Sequence, residues 1–209
     1  MKEDMRLDTP ESLVNEAYDC VVIGGGIVGL TVAYEYQNNF PSEKLLLLEK
    51  ESHIFEHQSG RNSGVMHSGI YYKPGTFKAK NCIAGYMKLI SFADKHAIPY
   101  EITGKLIVAI DESQRAALKT LFSYGTENGL TGLKLLNREE IQQIEPYCTS
   151  AIEALYVPQA GIIDYNQVGL KIVELLKKGG AEFRFNTKVE KLKSNIDKVE
   201  IKTRTDRIT

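Results

Sequence analysis

Residues 18–49, YDCVVIGGGIVGLTVAYEYQNNFPSEKLLLLE, restrict what this chain can fold into more than any other stretch. A short apolar run, Val21, Val22 and Ile23, enters a glycine cluster in which Gly24, Gly26 and Gly29 stand at G-x-G-x-x-G spacing. A helical pattern follows, and a second apolar run from Leu45 to Leu48 ends on Glu49. Glycine-rich turns alone are common; strand, spacing, helix and terminal acid in this order make a dinucleotide-binding βαβ unit.

Each residue type has a physical reason for its place. Gly24 permits the tight turn out of the strand, Gly26 lets the backbone approach a pyrophosphate, and Gly29 lets helix and strand pack closely. The unpaired N–H groups of the new helix face the phosphates, where the helix dipole also favours negative charge. Glu49 lies twenty residues beyond Gly29, where a carboxylate can accept hydrogen bonds from a ribose 2′-OH and would repel a 2′-phosphate, so NADP is disfavoured. The alternative reading is a buried strand, turn and helix with no ligand.

Composition excludes several classes. The apolar fraction of 43% and charged fraction of 25% are those of a globular protein, and a net charge of -1 leaves no electrostatic footprint for nucleic acid. No apolar run approaches the length of a membrane span. The first seventeen residues carry acids and lack both a basic and an apolar region, so they read as a polar tail rather than a signal peptide. Cys20, Cys82 and Cys148 are odd in number and widely spaced, which fits reduced thiols, and they show no metal-ligand spacing. A cytoplasmic protein is expected, with peripheral contact at the inner face of a membrane left open.

Along the chain, the first helix is expected over 27–37, with Val28, Ala33 and Tyr36 among the positions able to face the sheet. Apolar residues at helical spacing, including Phe77, Ile83, Tyr86, Met87, Ile90 and Ala93, predict a helix over 77–97. KLIVAI reads as a strand, 112–128 as a helix ending at Gly129, and 133–136 as a strand. Asn137 and Glu140 form a capping arrangement for a helix ending before Pro146. A strand over 154–157 leads into a turn, 158–167, that feeds a helix capped by Asp164 and ended by Gly179 and Gly180. Three short alternating strands occupy 181–203. An NAD-binding half-domain would continue after Glu49 into another βα repeat, and this chain does not. It has instead HQSGRNSGVMHSGIYYKPG, residues 57–75, rich in Gly and Ser with two His, one Arg and two adjacent Tyr. Such a segment either lines a ligand or is a surface loop held by Asn and Ser turns.

Three blocks, VVIGGGIVGL with LLLLEK, the 57–75 loop, and GKLIVA with VPQAGIIDY, carry a resemblance to the FAD-dependent oxidoreductases of the D-amino-acid oxidase superfamily. Within it the chain is most similar to the branch of L-2-hydroxyglutarate oxidases and dehydrogenases, and the 57–75 loop is what selects that branch. The resemblance covers nearly all of residues 18–193, and members of this branch continue well beyond it, which implies a truncated form. The fold it implies is α/β, α+β overall: a Rossmann-like FAD-binding domain interleaved with a partial substrate domain. The implied segments are a tail at 1–17, cofactor domain at 18–98 and 164–209, and substrate domain at 99–163.

The resemblance also implies roles. Gly24, Gly26 and Gly29 hold the pyrophosphate of FAD, Glu49 with Lys50 beside it the adenosine ribose, and Val189 the adenine through its backbone. Asn62, Ser63 and Gly64 line the flavin, and Arg61 serves a phosphate or a substrate carboxylate. The implied reaction is oxidation of a 2-hydroxy acid, the small-molecule substrate, to its 2-oxo acid by hydride transfer to flavin, with oxygen or a quinone or other carrier as electron acceptor. His67 is the first choice for the base, since an imidazole pKa of about 6.5 lies close to neutrality; a structural histidine is the alternative. Tyr71, Tyr72 and Lys105 are candidates for holding substrate, although adjacent tyrosines in a strand point to opposite faces. Two rival readings stand beside this one: an amine or amino-acid oxidase of the same superfamily, and a nucleotide-binding fragment that catalyses nothing.

Overall fold

The computed structural model describes residues 15–204 and 207–209, so residues 1–14 of the expected tail lie outside the described residues. The first elements are β1 (Asn15–Glu16), β2 (Cys20–Ile23), α1 (Ile27–Asn39), β3 (Leu45–Leu48), β4 (Val65–Met66) and α2 (Phe77–Lys95). There follow β5 (Tyr100–Glu101), β6 (Lys105–Ala109), α3 (Arg115–Glu127), β7 (Lys134–Asn137), α4 (Arg138–Ile144) and β8 (Glu153–Val157). The last are β9 (Gly161–Ile163), α5 (Tyr165–Lys178), β10 (Glu182–Arg184), β11 (Val189–Ser194), β12 (Val199–Thr203) and β13 (Arg207–Ile208). They fall into two compact units, one taking the chain up to Arg61 together with Gly169–Thr209, the other Asn62–Val168.

The first unit is built on β3. Its four leucines are between 0% and 2% exposed, which requires cover on both faces. β3 is the middle strand of a parallel sheet ordered β10-β3-β2, with Ile23 opposite Leu48 and Arg184 opposite Leu48 on the other side. Leu46 and Leu48 pack with Ile201 and Ile208 of a second, four-stranded sheet, joined by Tyr18, Val21 and Val189. α1 packs against β2 and β3 with Leu30 and Ala33 fully buried, and Gln37 Nε2 donates to Leu176 O of α5 at 3.1 Å. Each fully buried leucine of β3 contributes about 1.5–3 kcal/mol.

In the second unit an antiparallel sheet ordered β6-β8-β7 is covered on both faces. Alternation sends Ile107, Ala109, Leu155 and Val157 toward Leu118 of α3, while Leu106, Ala154, Tyr156 and Leu136 meet Ile141 of α4. A smaller sheet, β4-β9-β5, brings residues 65–66, 100–101 and 161–163 together. Thr76 caps α2 through Ala79 N–H at 3.3 Å, and the capping box of Asn137 and Glu140 is formed in full at α4.

Several expectations are corrected. α1 continues two residues beyond Gln37, and Val28 is 72% exposed because the buried stripe runs through Leu30 and Ala33. Phe77 and Met87 of α2 are exposed, so that helix buries Ala79 and Ala93 rather than its large side chains. Helix 112–128 begins as a 3-10 turn, Glu112–Gln114. The turn expected over 158–167 contains β9, which is paired on both edges by distant residues and is too short to show a period of its own. The three strands expected over 181–203 are present as β10, β11 and β12, of which β10 joins β3 while β11 and β12 pair with each other.

Candidate functional site

The glycine turn is closed by backbone and carboxylate together. Gly24 sits at φ 110, a conformation that favours glycine, and its N–H donates to Leu48 O at 2.8 Å. Gly25 N–H donates to Glu49 Oε2 at 2.6 Å, and Glu51 N–H donates to Glu49 Oε1 at 3.0 Å. Glu49 is thereby 7% exposed and its carboxylate clamps the turn to the end of β3. Gly26 precedes α1 with no side-chain cap and no acid in the first turn, and Ile27 N–H donates to Ser59 Oγ at 2.9 Å. A Cβ on Gly29 would lie 2.0 Å from Gly24 O, so strand and helix meet here at a distance only glycine allows.

Beside this turn lies a cavity of about 400 Å³ lined by Gly24, Gly26, Glu49, Lys50 and Val189, with His57, Thr187 and Lys188. Thus five of the residues singled out in the sequence border one space. Gly29 lies behind the turn, and Arg61 is exposed just past the 3-10 turn Gln58–Gly60 and is not part of the lining. Glu51 holds His57 Nε2 at 2.9 Å and Lys50 Nζ at 3.5 Å, and the His57 bond, ahead of Lys50, keeps its carboxyl below the usual carboxylate range.

In the second unit Asn62 Oδ1 accepts from Gly64 N–H at 2.7 Å, forming an Asx turn. Gly64, at φ 71, accepts from Ile163 N–H at 2.9 Å, tying the loop to β9. Ser63 and Gly64 line a cavity of about 490 Å³ with Tyr100, Ile162, Ile163 and Asp164.

The same unit gathers a group of titratable side chains. Lys105, the first residue of β6, is half-buried, and its Nζ lies 4.3 Å from the centroid of the Tyr71 ring. Cys82 of α2 donates through Sγ to His67 O at 3.3 Å. Partial loss of water, and then the Lys105 ammonium, lowers the proton affinity of His67. Burial lowers that of Lys105, with Cys82 acting the other way. Burial raises the thiol of Cys82 and the hydroxyls of Tyr71 and Tyr165, so all three stay neutral near pH 7. Lys105 and Tyr71 are thus in contact, and His67, itself exposed, lies near enough to feel the Lys105 charge, while Tyr72 is held by its backbone: Asn128 Nδ2 donates to Tyr72 O at 2.9 Å.

The sequence alone does not single out Cys82, Tyr165 or Ser59. Ser59 is a small hydroxyl residue in a glycine-rich loop, the type able to satisfy a helix N–H, but its partner lies thirty-two residues away. Nothing in α2 marks Cys82, because its partner is the backbone of a folded loop. Among the described residues no group of three or more His, Cys, Asp or Glu is placed to hold a metal ion, and no helix is long and apolar enough to cross a membrane.

A parallel sheet with its glycine turn, carboxylate clamp and adjoining cavity is the arrangement of a nucleotide-binding fold, and the FAD dependent oxidoreductase (DAO) family model matches residues 19–209; the chain belongs to that family. It is 43% identical over 177 residues to L-2-hydroxyglutarate dehydrogenase of Indibacter alkaliphilus, covering 85% of this chain and 44% of that one. To the mitochondrial L-2-hydroxyglutarate dehydrogenase of Homo sapiens it is 40% identical over 179 residues, 86% of this chain and 38% of that one. The chain thus spans less than half the length of these curated relatives. Among solved structures, dithionite-reduced L-alpha-glycerophosphate oxidase from Mycoplasma pneumoniae with FAD bound aligns with a TM-score of 0.82 at 25% identity, over 92% of this chain and 52% of that one.

Proposed function

We propose that this chain serves the FAD-dependent oxidation of L-2-hydroxyglutarate, or a closely related 2-hydroxy acid, to the 2-oxo acid. The observation that carries the reading is the contact of the half-buried Lys105 ammonium with the Tyr71 ring, with His67 near enough to feel that charge, in a family member whose relatives bear that activity in their names.

The cofactor fits the residues present. Past Ile27, whose N–H is held by Ser59, the N-terminus of α1 offers N–H donors to a diphosphate, and Gly26 carries no side chain to cover them. Glu49 keeps acceptor capacity for a ribose hydroxyl beyond its two backbone bonds, Lys50 borders the same cavity, and Val189 reaches it from β11. In the second unit, Asn62, Ser63 and Gly64 are assigned to the flavin ring, and Arg61 to a phosphate or a substrate carboxylate. FAD, when bound, supplies the acceptor for the hydride that leaves C2.

The chain's own residues handle the proton and the charge. His67, neutral because its proton affinity is lowered, takes the hydroxyl proton on a ring nitrogen as the C2–H electron pair departs, so the product is the 2-oxo acid. Lys105 binds a carboxylate, and the Tyr71 hydroxyl, protonated near pH 7, donates a hydrogen bond to substrate. Tyr72 is a weaker candidate for substrate contact, since its backbone is what the fold uses.

The test is anaerobic flavin reduction by the FAD-loaded protein. Rapid bleaching by L-2-hydroxyglutarate, with none by glycine, sarcosine or amino acids, supports the reading. Bleaching by the amines alone assigns the chain to an amine or amino-acid oxidase. Protein that binds FAD and is reduced by neither is a nucleotide-binding fragment. Reoxidation by oxygen against a quinone then identifies the electron acceptor.

A further inference from the structure

The glycine turn holds Glu49 by its carboxylate; the loop after β10 holds it by its backbone. Glu49 N–H donates to Arg184 O and Glu49 O accepts from Thr187 N–H, each at 2.9 Å, while Glu51 O accepts from Asn186 N–H at 2.9 Å. Residues 184–187 thus grip residues 49–51 through three backbone bonds. Asn186 turns the loop for this by taking φ 53, in the left-handed region that asparagine tolerates better than most residues. The chain then runs on through Thr187, Lys188 and Val189, which line the nucleotide cavity together with Glu49 and Lys50.

Side chains anchor this loop to the other sheet of the unit. β10 is three residues long, short for a strand, and lies at the edge of its sheet with β3 as its neighbour. Arg184, its last residue, reaches across to β1: Nη2 forms an ion pair with Glu16 Oε2 and donates to the Tyr18 hydroxyl oxygen at 2.8 Å. That hydroxyl lies 2.6 Å from Glu182 Oε2 and 2.9 Å from Glu16 Oε2. The Arg184 side chain is 25% exposed, so water and salt screen the pair only in part. Glu16 and Tyr18 are themselves fixed, because Thr209 N–H donates to Glu16 O at 2.9 Å and Tyr18 N–H to Thr209 O at 2.8 Å.

Resting on the reading that Glu49 holds the adenosine ribose of FAD, we propose that Arg184 is a positioning residue for the cofactor: anchored by Glu16 and Tyr18, it holds residues 184–187 against residues 49–51 and so aims Glu49 at the ribose. The described residues that line the cavity do not include Arg184, so its effect passes through the loop. Gly25 and Glu51 tie the Glu49 carboxylate to the turn, and what remains of its acceptor capacity points where the backbone of 49–51 directs it. Without the anchor Glu49 is still a carboxylate at the end of β3, but its angle to a ribose hydroxyl is no longer fixed, and a hydrogen bond weakens steeply with angle.

The experiment is a double-mutant cycle on FAD affinity, read from flavin fluorescence as FAD is titrated into FAD-free protein. Glu49→Ala should weaken FAD about tenfold or more, the loss of one charge-assisted hydrogen bond. Arg184→Met should weaken FAD about three- to tenfold when Glu49 is present and less than about twofold in Glu49→Ala, because a residue that acts through Glu49 then has nothing to act on. Arg184→Lys, a cation still able to meet Glu16, should recover part of the loss. Glu16→Gln enters from the far end, keeps the size of the side chain, and should show the same dependence on Glu49; it decides the matter if Arg184→Met does not fold. Equal weakening by these variants with and without the Glu49 carboxylate overturns the relay and leaves Arg184 a residue of structure alone, and so does wild-type affinity in both variants. A loss of affinity in Glu49→Ala alongside either result keeps the ribose reading standing. Unchanged FAD affinity in Glu49→Ala strikes that reading and the relay with it.

Discussion

Replacing Glu49 probes two roles that one carboxylate holds at once. In the folded chain it accepts Gly25 N–H at 2.6 Å in a buried setting and Glu51 N–H at 3.0 Å in a partly buried one. A hydrogen bond to a charged acceptor is worth about 1.5–3 kcal/mol. Glu49→Ala loses both bonds but is relieved of a charge that is only 7% exposed, so the net destabilisation should be about 3 kcal/mol. For a chain of this size that corresponds to a Tm lower by about 6–12 °C. Glu49→Gln keeps one acceptor oxygen and should lose about half as much. Urea unfolding of FAD-free protein reads the clamp, and titration with FAD reads the ribose contact. Unfolding of Glu49→Ala at the wild-type urea concentration would refute the clamp. The expected instability combined with unchanged FAD affinity would refute the ribose assignment alone.

Three further outcomes follow from the geometry. Gly29→Ala, whose Cβ would stand 2.0 Å from a backbone oxygen, should cost about 3 kcal/mol or more, whereas Gly26→Ala, 3.1 Å from the Ser59 hydroxyl, should weaken FAD binding with little loss of stability; equal urea midpoints for the two would contradict this. Gly85 lies within α2, and a Cβ added there would meet no atom within 4 Å, so Gly85→Ala should raise stability by about 0.5–1 kcal/mol, and a lower midpoint would show an unseen contact. His67→Gln should slow flavin reduction about 10²–10⁴-fold. In the wild type, since the proton affinity of His67 is lowered, the rate should hold below the pH at which an ordinary histidine would gain its proton, then fall as His67 is protonated; a rate indifferent to His67→Gln removes it as base.

What is legible in the sequence is what short range decides. Asn137 and Glu140 stand three residues apart and can satisfy each other's backbone N–H groups, so their capping box is visible without a fold. The four leucines of 45–48 announce a strand buried on both faces, and the glycine spacing announces the turn. Pairing at long range is invisible. Nothing in residues 182–184 states that they belong beside Leu46 rather than beside residues 189–194, because a parallel neighbour leaves no turn signature. In the sequence Glu49 reads as a group waiting for a ribose, yet its first partners are two backbone N–H groups of its own chain. Resemblance points to His67, Tyr71 and Lys105, but Cys82 meets the His67 backbone only because loop and helix fold back on each other.

The place of β10 also has a consequence in time. Leu46 finds one parallel neighbour at Val21, delivered before it, and the other at Glu182, which a ribosome adding about 5–20 residues per second delivers on the order of ten seconds later. Throughout that interval Asn62–Val168 emerges and has all of its own sheet partners, while the most apolar strand of the chain waits with one edge bare. An unpaired leucine edge is a template for wrong pairing. The nascent βαβ unit is therefore the segment that a holding chaperone would be expected to grip, and the emergence of Arg184 the event that releases it.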